Sequence, residues 1–309
     1  MLKKTLIGLA ASTLLSTAAF AQLSPAADWA AQVQSRYRVT ANVTYLTASG
    51  YESKLDVYRR RDTEAPQPTL VFYHGGGWIA GTKEAAMMSL MPWFELGWNV
   101  VNVEYRMARV ALAPGAVEDA LCALRFIVAQ AKTYGIDPSR LVVSGESAGG
   151  HLALAAGMIP QTAGLTNICT GGGFAGFDNS VPKVAAIINW YGITDVAEMV
   201  AGGANTRSYA LQWVGSAQNK EDVARQVSPL TYVRAGLPPI LSIQGDKDVI
   251  VPYSQNVRLH EALTKAGATN ELFTVPGGGH GNFSGDERTK IYTKIRDFLG
   301  KNGLLSGTS

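Results

Sequence analysis

The sequence is poor in the residues that form metal centres and disulfide frameworks. Its 309 residues include four histidines and two cysteines. The histidines lack the spacing of metal ligands, and two cysteines cannot build a disulfide-rich scaffold, so neither class of protein is expected. A Gly-Lys-Ser/Thr phosphate-binding loop is missing too, which argues against a nucleotide-dependent enzyme of that type.

Excess charge and long apolar runs are also missing. The 27 basic and 24 acidic residues give a net charge of +3, so the composition does not indicate a nucleic-acid partner or an anionic membrane surface. After the N-terminus the sequence has no run of about 18 apolar residues, and we therefore expect no membrane span. The sequence gives no indication of an oligomeric state.

The first residues have the pattern of an export signal. Lys3 and Lys4 precede a short apolar stretch, and residues 19–21 (Ala-Phe-Ala) place small side chains before a cleavage site. We predict a signal peptide over residues 1–21 and a periplasmic or secreted protein. Residues 22–309 are expected to form one domain.

Export would place Cys122 and Cys169 in a compartment where disulfides persist. A bond between them would close a long loop, and their predicted positions, one in a helix and one in a loop, allow it. Two buried thiols fit the sequence equally well. Both interpretations stay open.

Strand-like and helix-like segments alternate along most of the chain. This alternation predicts an α/β fold with a mostly parallel central sheet flanked by helices. Residues 39–46 and 54–58 are expected to form an opening antiparallel pair, and residues 114–134 have the three-to-four apolar spacing of a one-sided helix. The other predicted strands cover residues 69–73, 99–105, 141–143, 183–190, 239–243 and 271–275, and the other helices cover residues 83–96, 149–158, 254–265 and 286–299.

Residues 195–230 lack a clear strand and have weaker helical patterning. We interpret them as a small helical insertion that lies over the active site. Trp213 within this insertion, and Trp78 after a glycine run, are candidate substrate-binding residues because aromatic rings commonly line apolar pockets.

The strongest functional signal is the Gly-x-Ser-x-Gly turn centred on Ser147. It follows the apolar run at residues 141–143 directly, which is the position of a serine nucleophile between a strand and a helix. Gly145 and Gly149 omit the side chains that would collide with the following helix. The hydroxyl of Ser147 is therefore expected to protrude at the start of that helix.

A serine hydroxyl needs a base that removes its proton during attack. In a hydrolase of this architecture the chain order is Ser, acid, His, which leaves His260 and His280 as candidates. His260 lies within a predicted helix, whereas His280 follows Pro-Gly-Gly-Gly at the end of the last strand. We choose His280, because that loop can bring the imidazole over the sheet edge.

The acid is expected at the end of the strand that precedes the histidine strand. Asp246 and Asp248 both follow residues 239–243. We choose Asp248, because Asp248 begins an Asp-x-x-Val-Pro loop and Asp246 lies nearer the strand. Its carboxylate would hold the ring of His280 and stabilise the imidazolium.

Negative charge on a tetrahedral intermediate needs preorganised donors. The run Gly75-Gly76-Gly77 follows a predicted strand and can supply backbone N–H groups. We assign an oxyanion hole to Gly76, Gly77 and Ala148, the residue after Ser147. His74 is expected to orient this loop by hydrogen bonding.

Together these motifs resemble the α/β-hydrolase superfamily. Within it, the chain resembles the bacterial carboxylesterases related to hormone-sensitive lipase and to the bifunctional carboxylesterase/feruloyl esterase group. The resemblance covers roughly residues 50–300 and rests on residues 74–78, 145–151, 248–252 and 279–281.

This resemblance implies an α/β-hydrolase domain over residues 22–309 that cleaves a small-molecule or polysaccharide-linked ester through an acyl-enzyme, without a cofactor. Short-chain acyl, acetyl and feruloyl esters all stay open as substrates. An amidase, peptidase or arylformamidase on the same scaffold is an alternative, as is a non-catalytic binding module with a hydrolase fold.

Overall fold

The computed structural model describes residues 23–170 and 182–305, so the predicted signal peptide lies outside the described residues. The chain divides into two compact units. The first ends at Ser35 and holds nearly all of helix α1 (Pro25–Arg36), which has no buried residue. The second unit begins at Arg36 and contains the sheet.

The described strands form one sheet. Their bounds are β1 (Tyr37–Ala48), β2 (Tyr51–Arg60), β3 (Gln67–Tyr73), β4 (Asn99–Val103), β5 (Ile136–Glu146), β6 (Ala186–Trp190), β7 (Ile240–Gly245) and β8 (Asn270–Val275). The strand order is β1-β2-β4-β3-β5-β6-β7-β8. β2 pairs antiparallel with β1 and β4, and the remaining pairs are parallel. A mostly parallel sheet with an opening antiparallel pair is therefore confirmed.

The central strands are buried and mostly apolar, because they are covered on both faces. Every residue of β4, β6 and β7 is buried, as expected for parallel strands between two layers of helices. β3 and β5 are neighbours in parallel register, with Tyr73 opposite Gly145. The loops that follow these two strands consequently leave the same edge of the sheet side by side.

Helices connect and flank the strands. Their bounds are α2 (Met91–Glu95), α3 (Gly115–Ala129), α4 (Ala131–Tyr134), α5 (Ala148–Met158), α6 (Val196–Val200), α7 (Ser208–Val214), α8 (Lys220–Gln226), α9 (Tyr253–Lys265) and α10 (Gly285–Lys301). The helix predicted over residues 114–134 is divided into α3 and α4. The predicted insertion consists of α6, α7 and α8, followed by the 3₁₀ turn Pro229–Tyr232.

The helix predicted over residues 83–96 is two shorter segments. A 3₁₀ segment, Glu84–Leu90, precedes α2, in which Pro92 occupies the first turn. Proline has no N–H to continue a ladder of hydrogen bonds from the preceding turn. The junction is closed instead by the N–H of Met91, which donates to the carbonyl of Met88.

Cys122 and Cys169 are joined by a disulfide bond, with an S–S distance of 2.03 Å and 5.2 Å between their Cα atoms. Cys122 lies in α3, and Cys169 follows α5. The bond closes a sequence separation of 47 residues. It therefore ties α3 to the segment that leaves the helix after Ser147.

None of the helices within residues 23–170 and 182–305 combines the length and the apolar character that crossing a membrane requires.

Candidate active site

Ser147 occupies a strained turn between β5 and α5. Its backbone angles are φ 55° and ψ −116°. Residues other than glycine rarely adopt this conformation. Two backbone hydrogen bonds hold the turn. The N–H of Ser147 donates to Trp190 O (2.9 Å), and the N–H of His151 donates to Ser147 O (3.0 Å).

Close backbone contacts explain the two glycines of the motif. A Cβ atom at Gly149 would lie 1.9 Å from the carbonyl oxygen of Tyr73, and one at Gly145 would lie 2.3 Å from the carbonyl oxygen of Gly149. Neither backbone atom can move aside without displacing a strand or a helix. Only glycine therefore allows α5 to start this close to β3.

The structure brings Ser147, His280 and Asp248 together in one hydrogen-bonded chain. The distance from His280 Nε2 to Ser147 Oγ is 2.8 Å, and that from His280 Nδ1 to Asp248 Oδ2 is 2.8 Å. A carboxylate can only accept, so Nδ1–H is the donor and Nε2 presents its lone pair to the serine hydroxyl. This is the arrangement that a general base requires.

Asp248 is held as an anion. Its side chain is fully buried, and it accepts from the N–H groups of Ile250 (2.9 Å) and Val251 (3.0 Å) and from Gln244 Nε2 (3.1 Å). Burial raises the pKa of this carboxyl, but the hydrogen bond and the charge of His280, with the two backbone donors, outweigh it and hold the pKa below its usual range.

The other candidates for acid and base lie elsewhere. Asp246 Oδ1 accepts from the N–H of Gly277 (2.7 Å), which fixes the loop after β8. His260 lies in α9, where its Nδ1 is 2.7 Å from Asn270 Oδ1 and burial lowers the pKa of its imidazole. Asp246 therefore has a structural contact, and His260 is a packing residue.

The glycine loop after β3 lies against the turn of Ser147. A Cβ atom at Gly75 would be 3.6 Å from Ser147 Cβ. Gly76 and Gly77 have φ angles of 121° and 60°. Among the described residues, none accepts a hydrogen bond from the N–H groups of Gly76, Gly77 or Ala148. Three backbone donors thus remain available beside the serine.

His74 is the residue that orients this loop. Its Nδ1–H donates to the carbonyl of Gly75 (2.7 Å), and its Nε2 lies 3.4 Å from a carboxylate oxygen of Glu104. The ring is buried and stacks on Tyr105 with 4.4 Å between centroids. His74 consequently contacts the loop from the buried side, and its hydrogen bond goes to Gly75 and not to Ser147.

The expectation that Trp78 and Trp213 bind substrate is wrong. Both side chains have 0% exposed surface, and their rings stack on each other with 4.1 Å between centroids and an interplanar angle of 16°. Burying two large apolar rings against each other removes much surface from water. These residues therefore pack the insertion onto the body of the protein and line no open pocket.

Tyr191 is a further residue of the site, for which the sequence left a pocket-lining role and core packing both open. It follows β6 with φ 41°, and its ring packs on that of His280 with 4.7 Å between centroids at 63°. Its N–H donates to Ile243 O (2.7 Å). The sequence showed only an aromatic residue after an apolar strand, which is equally typical of core packing.

Tyr209 of α7 connects the insertion to two loops of the site. A Cβ atom at Gly77 would lie 3.1 Å from its ring, and its hydroxyl donates to the carbonyl of Ile250 (3.3 Å). Arg207 donates to the same carbonyl (2.9 Å) and to that of Val249 (3.2 Å). The insertion therefore touches both the glycine loop and the loop of Asp248.

Glu146 precedes Ser147 in the turn and is partly exposed. One of its carboxylate oxygens accepts from the hydroxyl of Ser89 (2.8 Å). The sequence gave no signal for this contact, because Ser89 lies 57 positions away.

The sheet order, the turn of Ser147 and the chain order Ser, Asp, His define an α/β-hydrolase. More narrowly, the chain belongs to the BD-FAE family, whose model matches residues 55–263.

Several known proteins that are similar to this chain are esterases. Esterase LipQ of Mycobacterium tuberculosis (strain ATCC 25618 / H37Rv) is 26% identical over 269 residues, which make up 84% of this chain and 62% of LipQ. The chain thus spans about three fifths of that relative. Among solved structures, a truncated carbohydrate esterase from gut microbiota is 27% identical with a TM-score of 0.73, and the alignment covers 86% of this chain and 96% of that one.

A second similar structure is the propionate-bound thermophilic esterase Est2 of Thermogutta terrifontis. It is 26% identical with a TM-score of 0.71, and the alignment covers 88% of this chain and 97% of that chain.

Proposed function

We propose that this protein is an exported serine carboxylic-ester hydrolase that works through an acyl-enzyme. The observation that carries the proposal is the hydrogen-bonded chain from Ser147 Oγ through His280 to Asp248 beside three backbone N–H groups without partners among the described residues. A nucleophile, a base held by an acid, and donors for an oxyanion are the parts that acyl transfer requires.

In the first half of the reaction Ser147 Oγ attacks the ester carbonyl while His280 Nε2 takes its proton. The carbonyl oxygen becomes an oxyanion that accepts hydrogen bonds from the loop of Gly76 and Gly77 and from Ala148. Asp248 stabilises the imidazolium. His280 then gives the proton to the leaving alcohol, the ester C–O bond breaks, and the acyl group stays on Ser147.

In the second half a water molecule attacks the acyl-enzyme. His280 Nε2 takes a proton from this water, and the same donors stabilise the second tetrahedral intermediate. His280 returns the proton to Ser147 Oγ as the carboxylic acid leaves. The cycle needs no cofactor.

Short acyl groups and acyl groups on carbohydrate are the substrates we propose. Support comes from two similar structures, one an esterase with bound propionate and one a carbohydrate esterase. Export is supported by the basic and apolar start of the sequence and by the disulfide of Cys122 with Cys169, because disulfides persist in oxidising compartments.

Ser147→Ala tests the reaction. We expect kcat on p-nitrophenyl propionate to fall by roughly a million-fold, since removal of a nucleophilic serine has that effect in subtilisin. A fluorophosphonate should modify Ser147 of the wild type, located by peptide mass spectrometry. Ser144→Ala is the matched control, because Ser144 is buried in β5 and its hydroxyl has no partner among the described residues. Full activity in Ser147→Ala would refute the proposal.

A substrate panel tests the finer assignment. p-Nitrophenyl acetate, propionate and octanoate, acetylated xylan and methyl ferulate are compared with an anilide and N-formylkynurenine. We expect the short or carbohydrate-linked esters to have the highest kcat/KM. A higher kcat/KM on the anilide or the formamide would assign an amidase or an arylformamidase instead. For export, the intact mass of protein recovered outside the cytoplasm should correspond to a chain that begins at Gln22.

A further inference from the structure

His151 lies where three parts of the protein meet. It is four residues after Ser147 on α5, and its N–H donates to the carbonyl of Ser147 (3.0 Å). Its ring has 0% exposed surface and packs edge-on against Trp78 and Trp213, with centroid distances of 5.0 Å and 5.6 Å. The buried imidazole of His151 therefore lies where α5, the glycine loop and the insertion meet.

Both ring nitrogens of His151 are used. The indole N–H of Trp78 donates to Nδ1 (3.2 Å), and Nε2 lies 2.7 Å from the carbonyl oxygen of Val227. An indole only donates and a carbonyl only accepts, so the proton of the neutral ring is on Nε2. With both nitrogens occupied and the ring enclosed, His151 cannot exchange protons with a substrate.

Burial lowers the pKa of His151 to about 4. The ring therefore stays neutral at neutral pH, and Nδ1 keeps the lone pair that accepts from Trp78. Protonation of Nδ1 would remove the acceptor that Trp78 uses.

Trp78 in turn fixes the loop that presents the oxyanion donors. It follows Gly77 directly and has φ 60°, a strained angle for a residue with a side chain. Its carbonyl accepts from the N–H of Ala108 (2.9 Å), and its ring is stacked on Trp213. Three successive residues, Gly76, Gly77 and Trp78, have positive φ angles. Because Trp78 is bonded directly to Gly77, we expect a shift of Trp78 to change the backbone angles of Gly77 and so the direction of the neighbouring N–H groups.

We propose that His151 is a positioning residue for the oxyanion hole, acting through its hydrogen bond from Trp78. This inference rests on the proposed ester hydrolysis, since it concerns the same donors. It predicts that losing the bond lowers the rate of the chemical step and leaves ground-state substrate binding nearly unchanged.

Two exchanges of His151 separate its two hydrogen bonds. The amide oxygen of Asn reaches the position of Nδ1, so His151→Asn keeps the acceptor for Trp78 and loses the donor to Val227. The amide nitrogen of Gln reaches the position of Nε2, so His151→Gln keeps the donor to Val227 and loses the acceptor at Nδ1. We expect kcat of His151→Gln to fall about 10- to 100-fold, as small misplacements of reacting groups cause, while His151→Asn retains most of its activity.

Binding of 1,1,1-trifluorobutan-2-one gives the decisive readout. Ser147 Oγ bonds to the ketone carbon, its proton passes to His280, and the carbonyl oxygen becomes an oxyanion in the hole. Affinity for this adduct follows transition-state stabilisation. We expect Ki for the ketone to rise in His151→Gln by the factor that kcat/KM falls, with KM for p-nitrophenyl propionate within about twofold of the wild-type value.

Trp78→Phe removes the indole N–H and keeps most of the packing. We expect the same loss as in His151→Gln, and the double variant should lose no more than either single one. His260→Gln is the matched control for removing a buried imidazole, because His260 is 6% exposed and lies outside the site. It should lower the melting temperature without changing Ki.

The inference is overturned if His151→Gln lowers the melting temperature but keeps the wild-type kcat and Ki, or if Asn and Gln at position 151 cause equal losses. If one variant does not fold, the same comparison of Ki with the melting temperature in the other single variants tests the inference. Failure of the proposed function looks different, because the wild type itself would then neither hydrolyse esters nor react with the fluorophosphonate.

Discussion

Backbone strain is concentrated in residues at and around Ser147. In the part of the chain that the structure describes, five residues other than glycine have positive φ angles, and three of them are Trp78, Ser147 and Tyr191. Each conformation of this kind costs on the order of 1 kcal/mol or more and persists only where surrounding contacts enforce it. Here the enforcing contacts are buried rings and backbone hydrogen bonds, so Ser147, the proposed base and the proposed oxyanion loop are held in place before substrate arrives.

Two aspartates in one loop provide a test at this scale. Asp248 accepts from His280, whereas Asp246 accepts from the backbone of Gly277. Asp248→Asn should lower kcat by about 10,000-fold, the loss that the corresponding exchange causes in trypsin-like serine proteases, because the amide no longer fixes the ring tautomer. Steady-state kinetics on p-nitrophenyl propionate measure this loss.

Asp246→Asn is the matched control, with the same change of charge two positions away. It should change kcat by less than about fivefold, because the amide oxygen can still accept from Gly277. If kcat fell equally in the two variants, the assignment of Asp248 as the acid would be wrong.

At the scale of strands and helices, the sequence was informative wherever a local pattern determines the structure. The alternation of strand-like and helix-like segments predicted β3 to β8, and the glycine motifs after two of these strands predicted which loops carry Ser147 and the proposed oxyanion donors. Parallel strands end at one edge, so residues distant in sequence were expected to meet there. The chain order then left His260 and His280 as candidates, and the loop position of His280 after the last strand selected it.

Contacts between distant elements were not predictable in the same way. Trp213 was expected to face a substrate, but it packs on Trp78, and no short-range pattern shows which buried surface an insertion will cover. The roles of Tyr191, Tyr209 and His151 also depend on such contacts. A sequence shows that these side chains are aromatic, but their partners are set by how α7 and the end of β6 pack.

The disulfide offers a test at the element scale. Cys122→Ala combined with Cys169→Ala removes a bond that closes 47 residues, and loop-closure entropy predicts a loss of about 4 kcal/mol in the free energy of unfolding. The bond joins α3 to the segment that follows the end of α5, whereas Ser147 precedes the start of α5. We therefore expect a lower midpoint in urea unfolding and an unchanged kcat at 20 °C.

Reduction of the wild type should reproduce the effect of the double variant, and a reductant should not affect the double variant. Unchanged stability after removal of both thiols would show that the bond does not form in solution.

For the molecule as a whole, the titratable groups in the interior make stability depend on pH. Burial lowers the pKa of both His151 and His260, and the hydrogen bonds of Asp248 hold the pKa of that carboxyl low. Each of these groups destabilises the fold when it must take up a proton. Burial instead raises the pKa of Asp119 and Glu118 despite their ion pairs with Arg106, and these two carboxyls act in the opposite direction.

The two pKa values of His151, in the unfolded and the folded chain, determine how this residue changes the free energy of unfolding with pH. An unfolded histidine titrates near pH 6.5, whereas the folded one titrates at about 4. Between these values the unfolded chain binds a proton that the folded chain does not, so the free energy of unfolding falls as the pH falls from 6.5 to 4. At about 1.4 kcal/mol per pKa unit, this one group accounts for a decrease of about 3 kcal/mol. Asp248 adds to the decrease only below about pH 4, because its unfolded pKa is near 3.9.

Urea unfolding at pH 7.5, 6.5, 5.5 and 4.5 measures this decrease. The wild type should lose stability over the last two steps, and His151→Gln should lose about 2 kcal/mol less over the same range, because glutamine does not titrate. Comparing the change with pH, and not the stability at one pH, removes the cost of the substitution itself. His260→Gln should flatten the dependence less, since its ring is less completely buried. Parallel curves for the wild type and His151→Gln would mean that the ring of His151 takes up its proton in the folded state near pH 6.5, which its enclosed position between Trp78 and Val227 does not allow.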